Sequence, residues 1–144
     1  MNWDEYFVSL LAPVAAKSKD PSTKVGCIIV GPDHEIRSTG YNDLPRGIVH
    51  TDERLERPAK YLYTEHAERN AIYNAARNGT SLVGSTIYCD MYPCAECARG
   101  IIQVGIKRLV CTQEPRAGDS NWNASQLAAM EMMLEKGIEI DGKI

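Results

Sequence analysis

The 144-residue sequence has no basic run, no apolar stretch of transmembrane length, and no repeat, linker or low-complexity segment. Each absence removes a class of function. Without clustered Lys and Arg, and with a net charge of −3 and a pI of 5.6, sequence-independent binding to a nucleic-acid backbone is not expected. Without about 20 consecutive apolar residues, no helix is expected to span a bilayer. The N-terminal MNWDEYF lacks the basic region of a signal peptide, so a cytoplasmic location is expected. A disulfide framework is also missing. The cysteines number five, and two of them lie in C-x-x-C, which in a reducing compartment suggests metal or redox chemistry. What remains is a length that makes one domain, 1–144, with a single core.

Local signals divide the chain into alternating elements. A first helix is expected over Trp3–Ser18, capped by Asn2 with Glu5 at the reciprocal position and kinked at Pro13. Trp3, Phe7, Leu10, Leu11 and Val14 share its apolar face. Strands at 25–30 and 36–41, joined by GPDHE, read as a hairpin. The long, polar, proline-marked segment 42–63 reads as a functional or partly disordered loop. A second helix is expected over Glu65–Arg77, with Thr64 as its cap and NG as its stop. A strand at 85–90 leads to a helix opened by Pro93, and a strand at 107–112 leads to a helix over Ala124–Lys136. A short strand, IEI, follows. The last three strands, separated by helices, should be parallel. The fold class expected is α/β: three layers, α/β/α, around a five-stranded mixed sheet. Sites in such sheets gather outside the carboxyl ends of the parallel strands, where PCAEC falls.

The chemistry is concentrated in two stretches, TEHAERN (64–70) and YPCAECARG (92–100). Cys94 and Cys97, three apart at a helix start, can turn both sulfurs to one point, and the positive helix end favours thiolate. His66 adds an imidazole. Three protein ligands leave a fourth position for water, the catalytic pattern for zinc, whereas structural zinc sites are closed by four. Glu68 can then take a proton from that water and return it elsewhere. A structural zinc site completed by Cys89, or a thioredoxin-like redox pair, uses the same cysteines, but neither employs the glutamate.

H-x-E followed by P-C-x-x-C is the signature of zinc deaminases. With WDEYF, SKDPSTKVG, STGYN, LPRG, HAERNAI, AARNG and PCAECARGIIQVGIKRLV, nearly the whole chain resembles the deoxycytidylate (dCMP) deaminases of the cytidine deaminase-like superfamily. The resemblance implies hydrolysis of dCMP to dUMP and ammonia, feeding thymidylate synthesis. It also implies a homohexamer controlled by dCTP as activator and dTTP as inhibitor, with Mg2+. It points to Asn42 for the sugar, Ala67 for the pyrimidine ring through its backbone, and Arg77 for the phosphate. Tyr92 and Trp122 are further candidate substrate contacts. Lys24, Asp43 and Arg46 are candidate effector contacts, Asp43 standing where the family often has glycine.

Overall fold

The computed structural model describes residues 1–116 and 121–142, the side chains of Asn121 and Trp122 lying outside the description. Its sheet contains β1 (Gly26–Val30), β2 (Ile36–Tyr41), β3 (Thr86–Cys89), β4 (Arg108–Cys111) and β5 (Glu139–Asp141) in the order β2-β1-β3-β4-β5. β1 runs antiparallel to both β2 and β3, while β3, β4 and β5 are parallel. The helices are α1 (Trp3–Ser9), α2 (Leu11–Ala15), α3 (Lys60–Tyr63), α4 (Ala67–Asn78), α5 (Ala95–Gln103) and α6 (Asn121–Lys136). The expected α/β architecture is the one observed.

Period-two alternation assigns each strand side chain to a layer. Cys27, Ile29, Ile87, Cys89, Leu109 and Cys111 face α4, α5 and α6. Ile28, Val30, Tyr88 and Val110 face α1 and α2 through Phe7 and Leu11. Burial on both sides explains the uninterrupted apolar run of β1. Gly40 seats α4 on β2. A Cβ there would lie 2.4 Å from the Ala67 carbonyl oxygen and 2.4 Å from the Ala71 nitrogen, so only glycine lets the helix lie this close.

Three local expectations change. The first helix breaks at Leu10 instead of kinking once, because the Pro13 ring crowds the carbonyl four residues back, at Ser9. The Asn2–Glu5 capping box does form. The 42–63 segment is less irregular than expected: it contains a short 3-10 turn (Glu53–Leu55) and α3. Thr64 does not cap the start of α4 but the end of α3, where its hydroxyl donates to the Lys60 carbonyl at 2.6 Å. Glu65 is held extended by a two-way backbone bridge to Asp43, so α4 cannot begin before His66.

Candidate active site

His66 and Cys94 are the N-caps of α4 and α5, both in extended backbone conformation. That placement turns both side chains away from their helices toward a shared point. The His66 Nδ1 lies 3.5 Å from the Sγ of Cys94 and 3.5 Å from the Sγ of Cys97. The three donor atoms all lie within 4.8 Å of one another. Tetrahedral zinc, with bonds of about 2.1 Å to nitrogen and about 2.3 Å to sulfur, holds its ligand atoms about 3.6 Å apart. The donor set and its spacing therefore fit zinc. Among the described residues no fourth His, Cys, Asp or Glu joins the group, and Cys89 stays on the sheet between Cys27 and Cys111.

The electrostatics suit two sulfur ligands beside one base. Cys97 hydrogen-bonds to Cys94, and with the His66 contact this lowers the Cys94 thiol to about 4, overcoming burial. Its partner Cys97 moves the other way, because Cys94 beside it already holds the charge and burial adds to the effect. His66 is raised by the Cys94 contact. Glu68, in the first turn of α4, is only 4% exposed, and burial raises its carboxyl against the opposing Cys97 hydrogen bond. A carboxyl in this position can both accept and release a proton.

His66, Glu68 and Cys94 line an open-mouthed cleft of about 740 Å³ including its mouth, with Cys97 fully buried beside them. Asn42, Ala67 and Tyr92 line it, as do Asp20, Thr23, Arg57, Lys60, Tyr61, Met91 and Arg116. Asn42 has a structural task there as well: its Oδ1 accepts from Val25 N–H at 2.8 Å and its Nδ2 donates to the Thr23 carbonyl at 2.9 Å. Tyr92 is 5% exposed, and its hydroxyl has no hydrogen-bond partner among the described residues.

Arg77 is not brought to this cleft. Eleven residues beyond His66 along α4, it stands about 16 Å up the helix axis and lines a separate cleft with Arg37, Arg46 and Asn74. Among the described residues, the Lys and Arg that line the first cleft are Arg57, Lys60 and Arg116. Lys60 is paired: its Nζ lies 3.0 Å from Asp20 Oδ2 and also donates to Ser22 Oγ. Burial alone would raise Asp20, but the N–H groups of Thr23 and Ser22 together with Lys60 bring it to about 2. Forty residues separate the pair in the chain, so spacing carries no signal for it. Asp43 and Arg46 line a second cleft with Lys19, His50, Asn70 and Asn74, whereas Lys24 lines neither cleft. The Trp122 side chain falls outside the described residues.

The profile of the cytidine and deoxycytidylate deaminase zinc-binding region matches residues 1–113. The chain belongs to this deaminase family. It is 36% identical to an uncharacterized deaminase of Aliivibrio fischeri over 96% of this chain and 91% of that protein. It is 40% identical to the human deoxycytidylate deaminase over 76% of this chain, spanning 64% of that relative's length. Its fold is similar to the dCMP deaminase of cyanophage S-TIM5 in complex with dCMP and dUMP, with TM-score 0.75, 22% identity, and 96% and 94% of the two chains covered. The family match ends before α6 and β5, the latter completing the same sheet beside β4.

Proposed function

We propose that this chain, as one deaminase domain over residues 1–144, uses zinc to hydrolyse dCMP to dUMP and ammonia, supplying dUMP for thymidylate synthesis. The observation that carries the reading is the His66–Cys94–Cys97 triangle beside buried Glu68, opening through His66, Glu68 and Cys94 onto a cleft also lined by Arg57 and Arg116. The human relative's name and the nucleotides bound to the cyanophage neighbour support the choice of substrate. Zinc on these three ligands supplies the Lewis acid that makes water nucleophilic near neutral pH.

Glu68 takes a proton from the water that attacks C4 of the base. It delivers that proton to the departing amino group, which leaves as ammonia. The Ala67 N–H, at the first helical position of α4 and without a partner inside the helix, is placed to hold the pyrimidine ring. Asn42, fixed at both ends of its amide by Thr23 and Val25, keeps one further hydrogen-bonding position at each end for the sugar. Tyr92 packs as a wall of the base pocket.

The phosphate is assigned to Arg57 and Arg116, whose guanidiniums line the cleft and have the planar fork that matches a phosphate. Changing either arginine to glutamine should raise KM for dCMP. Losing one charge-assisted contact of about 1.5–3 kcal/mol corresponds to a factor of about 10–100. Turnover of deoxycytidine, which has no phosphate, should be unchanged, and Arg77→Gln should affect neither substrate. Steady-state kinetics on both substrates checks this, and equal losses on both would reassign the arginines to packing.

The same reading includes a cytoplasmic homohexamer, activated by dCTP and inhibited by dTTP with Mg2+. No helix among the described residues is long and apolar enough to cross a membrane. The second cleft, with Asp43 and Arg46 in its wall, has the charges to hold a magnesium–triphosphate. The Asp43–Glu65 bridge joins that segment to the residue before His66, a route by which an effector can bias the site. Each effector must bind one of two states better than the other. Titrating dTTP and dCTP against dCMP turnover, with and without Mg2+, should show opposite effects that depend on the metal. Asp43→Gly should weaken both and leave basal turnover in place. A rate unmoved by either nucleotide would remove the regulatory part of the reading.

A further inference from the structure

The three proposed zinc-ligand positions come from two helices that no disulfide cross-links. His66 opens α4, and Cys94 and Cys97 belong to the start of α5. Between them runs a chain of charged contacts that the deamination chemistry does not use. The backbone N–H of His66 donates to Glu65 Oε1 at 3.1 Å. The same oxygen lies 2.6 Å from Arg69 Nε, one turn along α4; the N–H is not aimed along this line, so the contact is charge to charge. At its other end the Arg69 guanidinium donates through Nη1 to Glu96 Oε2. Glu96 stands between Cys94 and Cys97 in the chain. The strap is also anchored to the sheet. Asn70 Nδ2 donates to the Tyr41 carbonyl at 2.8 Å, and Glu65 is bridged to Asp43.

We propose that Arg69 is a positioning residue for the metal, its guanidinium tying the backbone of His66, through Glu65, to the helix turn that carries both cysteines. Arg69 and Glu65 have side chains 18% and 25% exposed, so their contact is less screened than a fully solvated pair. The planar fork of arginine can face two carboxylates in different directions at once, which the single ammonium of lysine does less well. With the strap in place, His66 and the two sulfurs keep their spacing through the thermal motion of the two helix starts, and the metal dissociates slowly. Without it, the helix starts separate more readily and one ligand leaves before the others. Partners that orient metal ligands typically account for about 10–100-fold in affinity or activity.

This inference rests on zinc being held by His66, Cys94 and Cys97, and the test separates the two. Zinc-loaded full-length protein is mixed with a chromogenic chelator, and the release rate is followed alongside the melting temperature. Wild type should release one zinc per chain slowly. Arg69→Gln should release it about 10–100-fold faster, and Arg69→Lys should fall between the two. Glu96→Gln alters a side chain 61% exposed, so it leaves the core intact, and it should accelerate release in the same direction. That variant reads the same contact even if Arg69→Gln folds poorly. Release from Glu96→Gln and Arg69→Lys at the wild-type rate would overturn the strap while leaving the zinc reading standing, as would a lowered melting temperature with unchanged release. Wild-type protein that binds no zinc would overturn both.

Discussion

Replacing Glu68 with glutamine should lower turnover of dCMP by about 10²–10⁴-fold, the range general acid–base catalysis contributes, while zinc content stays at one per chain. Glutamine keeps the size and one oxygen of the carboxylate but cannot accept a proton. Glu68 does not belong to the ligand triangle, which is complete with His66, Cys94 and Cys97, so the metal should not notice the change. The fold should not either. A buried carboxyl raised by desolvation already costs the folded chain something when charged, so its neutral isostere is expected to leave stability unchanged or higher. Turnover, metal content and thermal melting of the same preparation make the check. Near-normal turnover with zinc bound would remove Glu68 from the proton path.

The largest loss is expected from Cys97→Ala. Cys97 is fully buried, its sulfur lies 3.5 Å from His66 Nδ1, and it hydrogen-bonds to Cys94. Its removal leaves two ligands. Zinc should be lost on dialysis, and turnover should fall by about 10⁴-fold or more, because unassisted water has a pKa near 15.7 instead of about 7. Chelation of the wild-type metal should give the same loss, and added zinc should restore activity to the wild type but not to the variant. The metal-free chain should still fold. Its core of β1, β3 and β4 against α4, α5 and α6 is built from apolar side chains that do not depend on the metal. A lower melting temperature is expected, since a ligand that binds only the native state stabilises it by mass action. Metal analysis beside melting curves decides this. Full activity without zinc would exclude the proposed chemistry.

The main outline of this molecule is legible in its sequence because local chemistry dictates it. Asn2 with Glu5, and Gly79 in the left-handed region after α4, mark helix ends through groups within a few residues of each other. The apolar runs of β1, β3 and β4 and the helices between them force a parallel pair on each side of β4. Histidine, glutamate and the C-x-x-C pair carry their meaning in spacing, since two cysteines three apart at a helix start must face one point.

What the tertiary structure alone decided depends on contacts between distant parts of the chain. The start of α4 moved from Thr64 to His66 because Asp43 pairs with Glu65 across more than twenty residues and holds it extended. Arg57 and Lys60, from the 53–63 segment, line the same cleft as His66, whereas Arg77, eleven residues along from His66, lines another, and the proposed phosphate contacts follow that placement. Lys60 with Asp20, and Arg69 with Glu96, are pairs whose partners lie 40 and 27 residues apart. Ligand identity is a property of side-chain type and short spacing, so one dimension suffices to read it. The charged pairs proposed to meet the substrate and to tie the two helix starts together are set by which elements the sheet brings side by side, and that exists only once the chain has folded.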